Sequence, residues 1–173
     1  QSPLREGGTA ADALRESIEL ARQADRLGYH RFWIAEHHGT AGLASSAPEI
    51  LIGQVLAQTQ AIRVGSGGVM LSHYSSLKVA EQFRMLEALY PGRVDVGVWR
   101  APGSNQRHAA ALEHGPGSLP IEAYPDQVAD LVAYLSDSLP LGHPFSDIQA
   151  TPQTDTVPQV WCLGSSLDSA MTA

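Results

Sequence analysis

The sequence predicts an α/β fold built on a parallel sheet, and three observations predict it. Helix-period and strand-like segments alternate along the 173 residues. The strand-like segments are continuous apolar runs, the pattern of strands covered on both faces. The links between elements are short, so successive strands are joined through helices as right-handed βαβ units. An open doubly wound sheet and a (β/α) barrel both satisfy these observations. In either one the chemistry gathers at the carboxyl ends of the strands, and the polar clusters EHHGT, SHYSS, RAPGSNQ and GSS all sit there.

Each element has its own signal. Residues 9–27 carry Ala13, Leu14, Ile18, Leu20, Ala21, Ala24 and Leu27 between charges, a helical spacing that Gly28 ends. RFWIA, which follows, is too short and too uniformly apolar for a surface helix and predicts a buried strand. Pro48 near a first helical position opens a second helix over 47–60, and Ile62 to Leu71 form a second strand. Residues 75–89 predict a third helix with Leu77, Val79, Ala80, Phe83, Leu86 and Leu89 inward. Pro91 and Gly92 close it, and Arg93 to Trp99 form the third strand. Residues 106–114 are weakly helical. A further helix over 126–136 opens on Asp126 as its cap, and QVWCLGS, after the Pro-rich stretch 140–158, is a fourth strand.

Composition narrows the function. With 43% hydrophobic and 17% charged residues the chain has the makeup of a single globular unit. Lys and Arg total 11 against 18 Asp and Glu, a net charge of -7, so there is no basic stripe for nucleic acid. No apolar run approaches the length of a membrane span. A single cysteine, Cys162, excludes an internal disulfide and fits a reducing, cytoplasmic setting. The absence of an initiator methionine, and a C-terminus that stops as a helix begins, lead us to expect truncation points at both ends.

Glu36, His37 and His38 end the first strand. Strand alternation puts Glu36 and His38 on one face and His37 on the other, so the two imidazoles are poorly placed to share one metal, and we expect no metal site. A histidine there can serve as a base or a donor near neutrality, or can be structural. Gly67 and Gly68 fall inside the GSGG of the second strand, where glycine marks either a barrel bend or close approach of a ligand. Neither a phosphate-loop nor a dinucleotide-binding pattern is present. Arg100 follows the third strand, suited to a phosphate or carboxylate, or to a loop acid. Ser165 and Ser166 follow Gly164 at a helix start, where they form an anion site or an ordinary cap. No serine-hydrolase elbow occurs. Cys162 reads as a core thiol, and His73 and Tyr74 as pocket or loop residues.

RFWIAEHH, IRVGSGGVML, VAEQFRMLEALYPGRVDVGVWRAPGS and PQVWCLGSS, in this order and spacing, resemble the luciferase-like flavin monooxygenases, in the branch called luciferase family oxidoreductases. The resemblance is strongest from Gly28 to Ser104. It implies a (β/α)₈ TIM barrel of which residues 1–173 form a single incomplete domain lacking the first strand and the last three. It further implies reduced FMN supplied by a separate NAD(P)H:flavin reductase, O₂ and a small organic substrate as reactants, and a homodimer built on helices 47–60 and 75–89. His37 matches the flavin-side histidine that assists proton transfer, and His38 its supporting neighbour. Gly67 and Gly68 match a cis peptide or bulge beneath the flavin ring. Arg100 and Ser166 match phosphate-binding groups, with Ser165 and Ser169 beside them. Trp99 and Asn105 depart from the family pattern, which often has a small residue and an acid there. A deazaflavin-dependent oxidoreductase of the same fold, and a non-catalytic flavin-binding partner subunit, are the alternatives.

Overall fold

A computed structural model describes residues 1–100, 106–113 and 119–164. Helix α1 (Ala10–Arg26) leads into β1 (Arg31–Ile34), followed by α2 (Pro48–Gln58), β2 (Arg63–Ser66), β3 (Val69–Met70), α3 (Ser76–Leu89) and β4 (Val94–Trp99). Helices α4 (Gln106–Leu112) and α5 (Tyr124–Leu135) precede the last strand, β5 (Gln159–Leu163).

The pairings among β1 to β5 are parallel: Arg31 lies opposite Arg63, Val64 opposite Val94, Val69 opposite Val98, and Val96 opposite Val160. Strand neighbours follow chain order, with β2 and β3 both on β4 as two parts of one strand. A doubly wound sheet would reverse direction partway through. This winding keeps one direction, which is the barrel's.

The single second strand expected over Ile62 to Leu71 is therefore interrupted. The Gly67–Gly68 peptide between β2 and β3 is cis, and Leu71–His73 is already a short 3-10 turn. Ser66 spans the gap: its hydroxyl donates to the Gly97 carbonyl at 2.8 Å and accepts the Gly97 N–H at 3.0 Å.

The core lies between the sheet and its helices. Ile34, Val64, Val94, Val96 and Val98 face Ile52, Val55, Val79, Phe83 and Leu131. The alternate strand positions Arg31, Trp33, Arg63, Gly65, Asp95, Gly97 and Trp161 occupy the opposite face. There the wholly buried Asp95 takes Arg31 Nε and Trp33 Nε1 on Oδ2, each at 3.0 Å, and Arg63 Nε on Oδ1 at 2.8 Å.

Local chemistry sets the helix ends. Thr9 and Asp12 form a reciprocal capping box on α1, with the Asp12 N–H donating to Thr9 Oγ1 at 3.2 Å and the Thr9 N–H to the Asp12 carboxylate at 3.0 Å. Gly28 turns the chain out of α1 at φ +76. Asp126 is not the cap of α5: Ala123 holds that position, Pro125 lies in the first turn, and Asp126 follows it. Two amphipathic assignments also shift. Leu20 on α1, Leu27 at its C-cap and Leu89 on α3 face outward. Ser17, Arg84 and Glu87 turn inward instead, because each finds polar partners there: Ser2 for Ser17, four carbonyl oxygens for Arg84, and the Gly92 N–H and Thr156 hydroxyl for Glu87.

Candidate active site

The EHH segment leaves the sheet just past the end of β1. Its backbone is tied down at once, with the His37 N–H donating to the Ser45 carbonyl at 2.9 Å. Glu36 and His38 share a side as alternation predicts, and His38 Nε2 lies 2.6 Å from Glu36 Oε1. His37 is separate from that pair. Its Nδ1 is buried with no hydrogen-bond partner among the described residues, and its Nε2 lies 3.5 Å from the Gln1 side-chain amide.

Glu36 collects more than His38. Tyr74 donates its hydroxyl to Oε1 at 2.6 Å and the Met70 N–H donates to Oε2 at 2.9 Å. Burial first, and the Glu36 contact second, push the Tyr74 phenol well above its ordinary range, so it keeps its proton and donates. Because Met70 belongs to β3, the carboxylate connects the end of β1 to the strand just beyond Gly68.

Gly67 and Gly68 occupy a place without room for side chains. A Cβ on Gly68 would lie 2.8 Å from the Gly97 carbonyl and 2.9 Å from Leu163 Cδ1, and one on Gly67 would lie 3.1 Å from Trp33 Cβ. Trp33 meets Trp161 edge to face with ring centroids 5.4 Å apart, and the Arg31 guanidinium lies 4.8 Å from the Trp161 centroid. The broken strand thus rests beside an aromatic pair on the face opposite the helices.

Arg100 is exposed at the end of β4 and forms no ion pair among the described residues; its carbonyl accepts from Ser72 Oγ at 3.4 Å. The loop-acid reading finds no support there. Ser165 and Ser166 lie outside the described residues, as does Ser169. At the same end of the sheet, α4 leans over the EHH loop. Gly39, at φ +65, has His108 so close that a Cβ would sit 2.6 Å from the imidazole, and Glu113 reaches the buried His73 ring at 3.1 Å. Tyr124, at the start of α5, is buried with its hydroxyl unpartnered among the described residues, and burial pushes it up to about 12. The partly buried Cys162 thiol is likewise raised by burial, the behaviour of a core thiol and not of a nucleophile.

The structure joins His38, through Glu36 and Met70, to the Gly67–Gly68 break, while the His37 ring stands apart from that set. Sequence reasoning named Glu36 beside the histidines and Tyr74 as a pocket or loop residue without joining the two, and it did not single out Trp33. For Glu36 a signal existed in its i, i+2 relation to His38. For Tyr74 there was none, because its partner is 38 residues away.

Comparison with known proteins agrees with this arrangement. The luciferase-like monooxygenase family profile matches residues 2–173. A Bacillus subtilis protein known as YwcH is 50% identical over 173 residues, all of this chain and 52% of its own length. The N-acetyl-S-alkylcysteine monooxygenase of the same organism is 46% identical, again over all of this chain and 52% of its own. Among solved structures, apo-MsnO8 superposes with a TM-score of 0.88 at 48% identity, covering 99% of this chain and 50% of that one. Two others share the fold at lower identity. The oxygenating constituent of a Pseudomonas putida type II Baeyer-Villiger monooxygenase in complex with FMN is 23% identical, with a TM-score of 0.61 over 75% of this chain and 34% of its own. An F420-dependent secondary alcohol dehydrogenase is 22% identical, with a TM-score of 0.55 over 88% of this chain and 44% of its own. The chain spans about half the length of the curated relatives it matches, so its one-directional parallel sheet is a partial barrel. With a strand-end constellation at the expected end of that sheet and a family match across residues 2–173, the chain belongs to the luciferase-like monooxygenases.

Proposed function

We propose that residues 1–173 form one incomplete barrel domain of an FMN-dependent monooxygenase that acts on a small organic substrate in the cytoplasm. The observation that carries this reading is the junction of two strand ends: the EHH segment after β1 and the side-chain-free Gly67–Gly68 break, linked by the Glu36 carboxylate. No helix among the described residues is long and apolar enough to cross a membrane.

The residues fit a flavin on two counts. The Gly67–Gly68 backbone carries no side chain of its own beside Trp33, and the buried His37 Nδ1 has no partner among the described residues. In this reading Gly67 and Gly68 support the ring, and Arg100, with Ser165 and Ser166, holds the phosphate. A guanidinium without an ion pair among the described residues is suited to that contact. Reduced FMN, supplied by a separate NAD(P)H:flavin reductase, provides the electrons that activate O₂ for transfer of one oxygen atom to the substrate. His37 takes up or gives a proton at Nδ1 beside the reacting centre, with its backbone fixed by Ser45 so that the imidazole need not search for its position. His38 supports it from the opposite side of the loop. Helix α4, over Gly39 and His73, helps to exclude water from the same end.

The protein is further proposed to act as a homodimer through α2 and α3, whose Ile50, Met85 and Leu89 are 68%, 57% and 67% exposed. The test of function is a titration with reduced FMN and, in parallel, with reduced deazaflavin, followed by O₂ consumption with and without His37→Ala. In the full-length parent, saturable FMN binding and O₂ consumption that His37→Ala uncouples from product formation are expected, whereas residues 1–173 alone, with open sheet edges, are expected to be inactive. Binding of deazaflavin alone would move the protein to the dehydrogenase side of the fold. Binding of FMN without turnover by the homo-oligomer would make it a non-catalytic partner subunit.

A further inference from the structure

Glu36 is 2% exposed, and its only basic neighbour among the described residues is an imidazole. A buried carboxylate persists where donors replace the water it has lost. Three donors do so: the Met70 N–H on Oε2, and the Tyr74 hydroxyl and His38 Nε2 together on Oε1. The Met70 amide can only donate. Tyr74, held protonated by its burial, donates as well. Both oxygens are thereby committed as acceptors, and the ring nitrogen that approaches Oε1 at 2.6 Å must bring its own proton. A neutral imidazole with its hydrogen on Nε2 has its lone pair on Nδ1.

We infer that Glu36 is a positioning residue for His38: it fixes the ring as the Nε2–H tautomer, so that any proton His38 accepts enters at Nδ1. Tyr74 and Met70 hold the carboxylate in place, and because Met70 follows the Gly67–Gly68 break, the same carboxylate keeps His38 in register with the proposed ring-binding backbone. The functional weight of this assignment rests on the reading of the EHH segment as a flavin-side site; the tautomer itself does not.

The test uses the whole protein labelled with nitrogen-15 at histidine. Two-bond proton–nitrogen correlation spectra distinguish the two tautomers, and a His38→Gln spectrum identifies the His38 signals among those of the seven histidines. The wild-type ring is expected to show the Nε2–H pattern without any cofactor. Glu36→Gln offers one acceptor oxygen and one amino group in place of two oxygens. With its oxygen toward the Met70 N–H, its amino group faces His38 and forces the proton to Nδ1, so the Nδ1–H pattern should appear. Glu36→Asp should retain part of the original pattern, and Tyr74→Phe, which leaves the carboxylate intact, should retain all of it. An Nδ1–H wild-type ring, or a Glu36→Gln ring unchanged from wild type, overturns the inference. Should Glu36→Gln fail to fold, the wild-type and Tyr74→Phe spectra decide between the same outcomes. Separate titration with reduced FMN keeps the two readings apart. A correct tautomer without FMN binding removes the flavin function and leaves the positioning role, whereas FMN binding with the wrong tautomer removes only the latter.

Discussion

Arg63 grips the buried Asp95 carboxylate at one oxygen, with Nε donating to Oδ1 at 2.8 Å and Nη2 lying 2.7 Å from the same atom. Arg31 and Trp33 take the other oxygen. The aspartate thus gathers donors from β1 and β2 onto β4, on the face where a barrel's interior lies. Removing one member of a buried charged set costs more than the set contributes, because the remaining charges lose their counter-ion. Asp95→Ala, which strands two guanidinium groups, is expected to destabilise the protein by about 3–5 kcal/mol. Arg31→Ala leaves the Arg63 contact in place and should cost clearly less. Urea denaturation midpoints of the two variants check the order, and equal losses would contradict the hub.

Asp25 controls a different joint. Its carboxylate accepts the backbone N–H groups of Gln60 at 2.6 Å, Ile62 at 2.7 Å and Ala61 at 3.1 Å, and so fixes the entry to β2 against the end of α1. These hydrogen bonds, that from Gln60 foremost, hold its pKa below the ordinary value. A carboxyl group lowered in the folded state stabilises at pH values above its unfolded pKa, near 3.9, and that contribution is lost as pH falls through the lowered folded value. Asp25→Asn is therefore expected to cost roughly 1–3 kcal/mol near neutrality. The gap from wild type should close as the pH falls below about 4. Denaturation at a series of pH values checks both parts, and a gap independent of pH would mean that the carboxylate is not the stabilising species.

The alternation of elements, and with it the sheet, was legible in the sequence because apolar periodicity is a local property. The barrel direction was not, since a doubly wound sheet has the same local pattern, and only strand order separates them. Leu89 and Arg84 show where periodicity misleads. Both occupy positions on α3, yet Leu89 faces out while the guanidinium goes in, because the carbonyls that satisfy it come from residues 134 to 152, which no helix-period count can see. In the candidate site, the relation of Glu36 to His38 is a two-residue spacing and was readable. The donation from Tyr74, the Trp33–Trp161 contact and the seat of His108 on Gly39 all depend on how distant segments meet.

Arg84 gives the third prediction. It is 1% exposed and donates to the carbonyls of Tyr134 at 2.8 Å, Leu135 at 2.9 Å and Ala150 at 3.0 Å, with Asp137 at 2.7 Å as its ion-pair partner. One side chain thereby fastens the end of α5 and the Pro-rich segment to α3. Arg84→Lys keeps the charge but replaces a planar fork of five donors with a single ammonium, so it cannot reach all these carbonyls. A loss of about 2–3 kcal/mol is expected, with proteolytic cleavage within residues 137–156 accelerated well before global unfolding. Cleavage that only tracks global unfolding would show that the segment is held by other contacts.

The last prediction concerns the face of α2 and α3 that the core does not use. Met85 and Leu89 are four residues apart, one helical turn on the same side of α3. Gln82 on the turn before them donates to Glu49 at 3.3 Å, which places Ile50 of α2 in the same neighbourhood. Exposed apolar side chains on two packed helices are the beginnings of an interface patch, and the proposed homodimer would bury them at its two-fold axis. A charge at Met85 would then face its own copy across that axis, a like-charge contact that adds to the desolvation cost. Met85→Glu is expected to convert the dimer to monomer at micromolar concentration, while the fold, read by circular dichroism, stays intact. A glutamate at Tyr29, which is exposed outside α2 and α3, should leave the dimer unchanged. Light scattering distinguishes the outcomes, and a wild-type protein that is already monomeric would remove α2 and α3 as an interface.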